Sequence, residues 1–460
     1  MRLSVVLVLI VGLPGCAIHG GTSSPPPADL PPRWSVNPAG DGDVLSVDWF
    51  KSFGSAELDS LIADAELGSL DLQAADARLR QADARARAAG AGILPQVDFG
   101  ASSTRYQGHS SQGSAHETDS SALISASYEV DFWGKNRAAR DSARSLEKSS
   151  EADRAVVALS TVTAVANTYF EVVAHREDIE SAGLLASNAH KLLDLLSARR
   201  AAGIATPAEI ALQRAAVAAA EIRLRELEGQ EVETEAALAI LVGKKPGALQ
   251  ITQRKLTDFK EPRVSAGLPA ELLTRRPDVF SAEQTLRSAH ADLVQARAAF
   301  FPSITLTGSG GVQNPAVQAA LITLPGAGPS VSVGAALAQS IFDGGRLRAA
   351  RDEASAKEIE MIAHYRAAVL AALWDVEIAL EAIAHLDVQA DAQAESVAQS
   401  DVAFAAAEAR YRAGSGDFLT VLDAERGAIT AHEQMTQYKL ARLRAAVGLC
   451  KALGGGWAEK

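Results

Sequence analysis

"RYRAGSGDFLTVLDAER", Arg410 to Arg426, interrupts an Ala-rich stretch that otherwise reads as continuous helix. Gly414 and Gly416 break the helical pattern, apolar Phe418, Leu419, Val421 and Leu422 follow at once, and Asp423 stands behind them. A soluble helical hairpin explains the turn but not the apolar cluster with its lone acid. The stretch also has a counterpart: "ARRAAGIATPAEIAL", Ala198 to Leu212, aligns with "ARYRAGSGDFLTVLD", Ala409 to Asp423, so that Gly203 falls on Gly414, 414 − 203 = 211 positions apart.

The pairing extends in both directions. "GKNRAARDSA" from Gly134 matches "GRLRAARDEA" from Gly345 at the same offset of 211, and "AGAGILPQVDFGASS" matches "RAAFFPSITLTGSGG" around Pro95 and Pro302, an offset of 207. Each half opens with a helix whose stripe alternates fours and threes: Leu72, Ala75, Leu79, Ala82, Ala86, Ala89, and Ala282, Leu286, Ala289, Leu293, Ala296, Ala299. That is a narrow seam of coiled-coil type. Each helix ends just before its proline, where α geometry is disfavoured.

Period-two alternation follows. Val97, Phe99 and Ala101 alternate with Gln96, Asp98 and Gly100, and Ile304 and Leu306 with Ser303, Thr305 and Thr307. Second segments run over Ile124 to Val130 and Val331 to Leu337, and "YQGHSSQGSAHETDSS", 106–121, reads as a long polar loop. An apolar face opposite a small or polar one fits a lipid-facing barrel wall, or a half-buried soluble sheet. Four strands cannot close a membrane barrel, because open edges are not tolerated in lipid, so a spanning sheet requires several chains. The rest of each half is long helix: 134–202, roughly 100 Å at 1.5 Å per residue, with a return from Pro207 to about Val242, then Arg346 to Ala413 and Phe418 to about Leu453.

The bulk numbers agree. The chain has 460 residues, a formal charge of −12 and 5% aromatics. The acidity argues against nucleic acid as a partner. Arg2 precedes an apolar run from Leu3 to Leu13, sized for a signal sequence and too short to span a bilayer. "LPGC", Leu13 to Cys16, resembles a bacterial lipobox, with an ordinary signal peptide and an incidental Cys16 as the alternative. Ala17 after the cysteine points to the outer membrane. A Pro/Ser-rich spacer follows, and no later run approaches the roughly 18 apolar residues of a membrane helix. If Cys16 carries lipid, Cys450 has no disulfide partner and reads as a packed helical thiol.

Chemistry-bearing motifs are missing from the sequence. It has no phosphate loop, no His-x-x-x-His pair, no metal-spaced cysteines and no Gly-x-Ser-x-Gly elbow. No catalytic residue, metal ligand or cofactor other than covalent lipid is expected. A surface hydrolase lacks a nucleophile. A periplasmic coiled-coil adaptor or scaffold lipoprotein without a pore explains helices and anchor, but not four alternating strands.

"DWFKSFGSAELDSLI" from Asp48, "LLTRRPDVFSAEQTLRSAHADLVQARAAFFPSITLTG" from Leu272, "FDGGR" from Phe342, "RYRAGSGDFLTVLDAER" and the closing "KALGGGW" from Lys451 resemble the outer membrane factors. These are the TolC-like exit ducts of tripartite efflux systems, and the lipoprotein branch of the NodT type is the most similar. The resemblance implies a mainly helical fold with a membrane β-barrel. Each chain of a homotrimer gives four strands to a twelve-stranded barrel, continued by a long periplasmic helical barrel. It divides the chain into a signal peptide (1–15), a lipidated spacer entering an equatorial region (16–56), and two structural repeats (57–265 and 266–460). It implies a passive duct for drugs or other small molecules, lipid-anchored in the outer membrane through diacylglycerol and palmitate on Cys16. A periplasmic adaptor and an inner-membrane pump of the resistance-nodulation-division type are the implied partners.

The resemblance also assigns residues. Gly203, Gly414 and Gly416 become hairpin tips that meet the adaptor, and Leu419 and Asp423 become constricting rings of a periplasmic gate, where Asp423 could otherwise be a solvated helix residue. Three such carboxylates at about 6 Å would repel by roughly 0.7 kcal/mol per pair in water and about 3 kcal/mol at an effective dielectric of 20. Glu209 and Tyr411 match a latch that holds the gate shut. A second donor, an arginine in some relatives, aligns with Gly416, which implies a weaker latch or replacement by apolar contacts through Leu419.

Overall fold

The computed structural model describes residues 30–35, 45–110, 113–262, 264–313 and 330–458, so Cys16 and the signal segment lie outside it. The chain runs through α1 (Ala56–Gly68), α2 (Leu70–Ala91), β1 (Gln96–Ser110), β2 (Gly113–Val130), α3 (Lys135–Ala201) and α4 (Pro207–Leu241). It continues through α5 (Leu272–Arg275), α6 (Pro277–Ala298), β3 (Ser303–Gln313), β4 (Ser330–Ala338), α7 (Arg346–Arg412) and α8 (Phe418–Ala452). α3 and α7 are both 67 residues long, and α4 and α8 both 35. They start at 135 and 346, and at 207 and 418, so the offset of 211 read from the sequence recurs in the elements. The two hairpins even carry one cross-link with its polarity reversed. His190 of α3 bonds Glu221 of α4 at 2.9 Å, and Asp401 of α7 bonds His432 of α8 at 2.9 Å.

The described residues form two compact units. One holds the sheet, with strand order β1-β2-β3-β4, antiparallel throughout. The register puts Phe99 opposite Ile124, Tyr128 opposite Leu306, and Ile304 opposite Leu337. Because side chains alternate, this collects Val97, Phe99, Ile124, Leu306, Val331, Val333 and Leu337 on one face, all exposed in the single chain. The other face carries small hydroxyls, with Ser102 to Ser121 at 2.9 Å and Ser309 to Ser332 at 2.8 Å. Among the described residues, β1 and β4 pair on one side only.

The long polar loop read over 106–121 is instead mostly strand. β1 continues to Ser110 and β2 begins at Gly113, with His109 opposite Ser114. An antiparallel ladder is built from backbone N–H and C=O groups, so it runs on where apolar alternation has stopped. At the far end of the sheet Trp133 stacks on Phe301 at 4.7 Å and donates its indole N–H to the Pro302 carbonyl.

The other unit contains the main core. Trp49, Phe53, Leu58 and Ile62 pack on Phe170 and Val173 of α3, Leu238 of α4, and Val447 and Cys450 of α8. Phe170 lies 5.2 Å from Phe53 and 4.9 Å from Phe259, centroid to centroid. Each such side chain contributes about 1.5–3 kcal/mol on full burial. Against the expectation that no later run approaches a membrane helix, α3 contains an 18-residue window of mean hydropathy 1.4, long and apolar enough to cross one. Half of that window is buried in the protein, and Val165, Tyr169, Phe170 and Val173 of this helix belong to the core. Burial pushes the Cys450 thiol up to about 12, as suits a packed side chain.

The Arg-Arg-Pro-Asp string acquires a structural reason here. Arg276, with only 9% of its side chain exposed, forks onto Asp278 at 2.6 and 3.0 Å. It also reaches Asp375 of α7 at 2.8 Å and donates to the Ala452 carbonyl at the end of α8 at 2.9 Å. One planar cation thus joins the start of α6 to two long helices.

Candidate functional site

The two hairpin turns lie at one end of this second unit, packed on a cluster of Leu192, Leu196, Ala205, Ala407, Tyr411, Phe418, Val421 and Leu422. Gly203 and Gly414 adopt φ of 75° and 79°, left-handed values that glycine reaches without a Cβ penalty. In the second hairpin the Gly414 N–H donates to the Tyr411 carbonyl and the Ser415 N–H to the Arg410 carbonyl, both at 3.0 Å, which satisfies the last carbonyls of α7. Gly416 needs its missing side chain for another reason. A Cβ there would sit 3.1 Å from Arg410 Cβ and 3.2 Å from the Tyr411 nitrogen. An arginine at this position, the donor of some relatives, does not fit the turn without a shift.

Asp417 then caps α8, accepting from the Leu419 N–H at 2.7 Å and the Thr420 N–H at 3.2 Å. The Thr420 hydroxyl, foremost among these donors, holds the Asp417 carboxyl below its ordinary value. The cap splits the first turns of α8 into two faces. Phe418, Val421 and Leu422 are buried, whereas Leu419 is 63% exposed and Asp423, one turn on, is exposed as well. Leu419 and Asp423 therefore share a face that nothing in the single chain covers.

The first hairpin is capped by a reciprocal box. Thr206 accepts from the Glu209 N–H at 3.2 Å, and Glu209 Oε2 accepts from the Thr206 N–H at 2.6 Å and its hydroxyl at 2.9 Å. The Thr206 N–H, with smaller help from the hydroxyls of Thr206 and Tyr411, holds the Glu209 carboxyl below its ordinary value. The other oxygen, Oε1, accepts from the Tyr411 hydroxyl at 3.4 Å. Tyr411 is 5% exposed; burial, then the Glu209 charge, pushes its phenol up.

The stronger link between the hairpins comes from Arg199. Its Nη1 donates to the Tyr411 carbonyl at 2.8 Å, and its guanidinium lies 4.6 Å from the Tyr411 ring centroid. A charge-assisted hydrogen bond contributes about 1.5–3 kcal/mol and a cation–π contact about 0.5–2 kcal/mol. The 3.4 Å contact between Tyr411 and Glu209 is at the long limit of hydrogen bonding and contributes less. Arg199, Asp417 and Thr206 were not singled out from the sequence. The two caps had local signals, an acid directly before Phe418 and the string Thr-x-x-Glu. Arg199 had none, because its partner is 212 residues away. Of the residues read from the sequence, Glu209, Tyr411, Gly203, Gly414 and Gly416 come together at the tips. Leu419 and Asp423 project from them. Cys16 lies outside the described residues.

The family described as outer membrane efflux protein matches residues 61–244 and 268–455, one segment in each half of the chain. The chain is 42% identical to the pyoverdine export outer membrane protein OpmQ of Pseudomonas aeruginosa, over 96% of its own length and 95% of that protein, and 41% identical to OpmQ of Pseudomonas putida, over 98% and 97%. Its fold is similar to the open-state outer membrane channel MtrE of Neisseria gonorrhoeae, with a TM-score of 0.82 at 28% identity over 94% of this chain and 97% of that one. The capped helical hairpins and the one-sided apolar sheet are thus those of an outer membrane efflux channel, and the chain belongs to the outer membrane efflux protein family.

Proposed function

We propose that the chain works as a homotrimer, three copies of its sheet closing one twelve-stranded barrel, and that it is the passive exit duct of a tripartite system. The observation that carries this is the sheet itself: four strands, one apolar face, and β1 and β4 each paired on one side only among the described residues. In lipid every backbone group requires a partner, so such a sheet calls for neighbours of the same kind. A pore-less scaffold gives no reason for the apolar face.

In this reading the tips at Gly203, Gly414 and Gly416 meet a periplasmic adaptor, which links the duct to an inner-membrane pump of the resistance-nodulation-division type. Leu419 and Asp423 become rings at the periplasmic mouth. Their shared exposed face supports this, as does the rigid cap beneath them. Arg199, Tyr411 and Glu209 hold the two hairpins of each chain together. Lipid on Cys16 adds an anchor of about 0.8 kcal/mol per buried CH₂. The relatives named for pyoverdine export make pyoverdine, or a similar secreted small molecule, the first substrate to test. The family is one of channels, and the duct performs no chemical step.

Single-channel recording in planar bilayers tests the gate. Leu419→Ala should raise resting conductance, and Asp423→Ala should weaken block by divalent or trivalent cations added on the periplasmic side. Unchanged conductance together with unchanged block moves the constriction elsewhere. Loss of radioactive palmitate labelling in Cys16→Ser checks the anchor separately.

A further inference from the structure

A cleft of about 410 Å³ opens between α3, α4 and α8, some turns along the helices from the tips. Its walls are apolar, including Ala182 and Leu185 of α3, Ala216 and Ala220 of α4, and Leu422 and Ile429 of α8. The volume lies within the roughly 300–1,000 Å³ typical of small-molecule sites.

Its polar lining is Ser181 and six ionisable side chains, of which His432 is already bonded to Asp401 at 2.9 Å. Arg223 and Glu433 neutralise each other at 2.9 Å. Asp178, 5% exposed, is kept above the ordinary carboxylate range chiefly by burial, with the nearby Thr436 hydroxyl opposing. Glu425, also 5% exposed, lines the cleft and has no hydrogen-bond or ion-pair partner among the described residues. Arg426, the next residue of α8, is exposed and lines the cleft without reaching it. Burial, reinforced by Glu408 of α7 and opposed by the charge of Arg426, pushes the Glu425 carboxyl up, and no cation of the described residues lies within ion-pair distance of it.

A buried, unpartnered carboxylate in an apolar cleft selects its ligand by elimination. An anion is repelled by the acid, a neutral molecule without a donor leaves it unpaired at the cost of its desolvation, and a neutral donor makes a weaker bond to it than a cation does. Among the described residues no group of three or more His, Cys, Asp or Glu side chains is placed to hold a metal ion. We propose that this cleft binds an organic monocation with an apolar body, the cationic centre paired with Glu425 and the body packed against the alanine and leucine walls.

Tetraphenylphosphonium is a suitable probe, and tetraphenylborate, nearly the same shape with opposite charge, is its control. Both are titrated by calorimetry into the full-length protein, purified as the oligomer in non-ionic detergent, with empty micelles as the blank. The expected result is one tetraphenylphosphonium per chain and at least tenfold weaker tetraphenylborate. Glu425→Gln should weaken the cation at least tenfold without weakening the borate. Ala219→Leu, on an exposed wall position of α4, should weaken both while leaving Glu425 in place. Equal binding of the two ions, or a Glu425→Gln protein that binds the cation as before, reduces the effect to partition into micelles and overturns the site. No cation binding, with an oligomer that loses heat resistance in Glu425→Gln, means that a neighbouring chain already supplies the counter-charge, and overturns it too. Since no pump, adaptor or bilayer is present, failure here leaves the duct reading untouched, and failure of the conductance test leaves this site untouched.

Discussion

Arg199 and Tyr411 are the closest polar link between the two hairpin tips: the guanidinium donates to the tyrosine carbonyl at 2.8 Å and lies 4.6 Å from the centroid of its ring. That carbonyl also receives the Gly414 N–H of the turn at 3.0 Å. Moving Arg199 therefore disturbs the turn as well as the contact between hairpins. Arg199→Ala should raise resting conductance in planar bilayers more than Tyr411→Phe, which removes only the 3.4 Å hydroxyl contact, or Glu209→Gln, which takes the charge from that contact and from the Thr206 cap. Arg199→Lys should fall between, since an ammonium keeps the charge and a donor for the carbonyl but not the planar stack on the ring. The reverse order, with Tyr411→Phe the leakiest, would give the tyrosine–glutamate contact the larger role.

Arg276 makes a second test, of stability rather than gating. Its side chain is 9% exposed and its partners are Asp278, Asp375 and the Ala452 carbonyl. Arg276→Ala removes the buried cation but leaves Asp278 and Asp375, 39% and 38% exposed, screened by water, so the cost falls below the roughly 3–5 kcal/mol of a fully buried pair. Heat-resistant oligomer on gels should largely disappear in this variant, and Arg276→Lys should restore it only in part. Normal oligomer in Arg276→Ala would show that the Arg-Arg-Pro-Asp string has another purpose.

Much of this architecture is local and was therefore legible. Long Ala-rich helices, turns at Gly203 and Gly414, and strands with one apolar side all follow from periodicities of 3.6 and 2, and the duplication gave two independent looks at each element. What escaped was non-local, or carried by backbone alone. The strand extension through 106–121 has no apolar alternation, and only the ladder partner defines it. Arg199 and Arg200 look alike in sequence; the packing of one hairpin on the other is what selects Arg199 for Tyr411. Gly416 reads as a helix break where a latch donor is missing, but the close approach of the chain to Arg410 and Tyr411 at this position is visible only in the structure.

The sheet gives a third prediction, which rests on register. Phe99 is 73% exposed in the single chain and faces Ile124, 57% exposed, across β1 and β2. Asp98, its neighbour, is on the opposite face. Phe99→Arg should lower stability by about 2–4 kcal/mol if the residue meets lipid near the midplane. Asp98→Asn, on the hydroxyl-lined face, should leave assembly intact and alter ion selectivity. The comparison uses the yield of heat-modifiable oligomer after outer membrane preparation. Equal yields for both variants would remove Phe99 from the lipid face.

Asp178 carries a pH dependence whose sign can be worked out. Burial chiefly raises its pKa from an ordinary 3.8 to about 6, with the Thr436 hydroxyl and Arg223 opposing, and Glu433 and Glu177 adding to the rise. The folded chain thus holds this proton more tightly than the unfolded one, and between about pH 4 and pH 6 stability falls as pH rises. Above pH 6 the loss is complete and constant. At about 1.36 kcal/mol per unit, the shift of roughly two units sets a ceiling near 3 kcal/mol per chain. Water entering the cleft reduces it. Asp178→Asn keeps an acceptor for Thr436 and removes the charge. Its unfolding temperature should match the unmodified protein near pH 4, exceed it at pH 7, and diverge from it between those values. Taking the difference between the two proteins at each pH cancels the titration of the other carboxylates. A difference that is flat from pH 4 to pH 7 would show that Asp178 is ionised in the fold at all these values and that its burial is matched by a counter-charge.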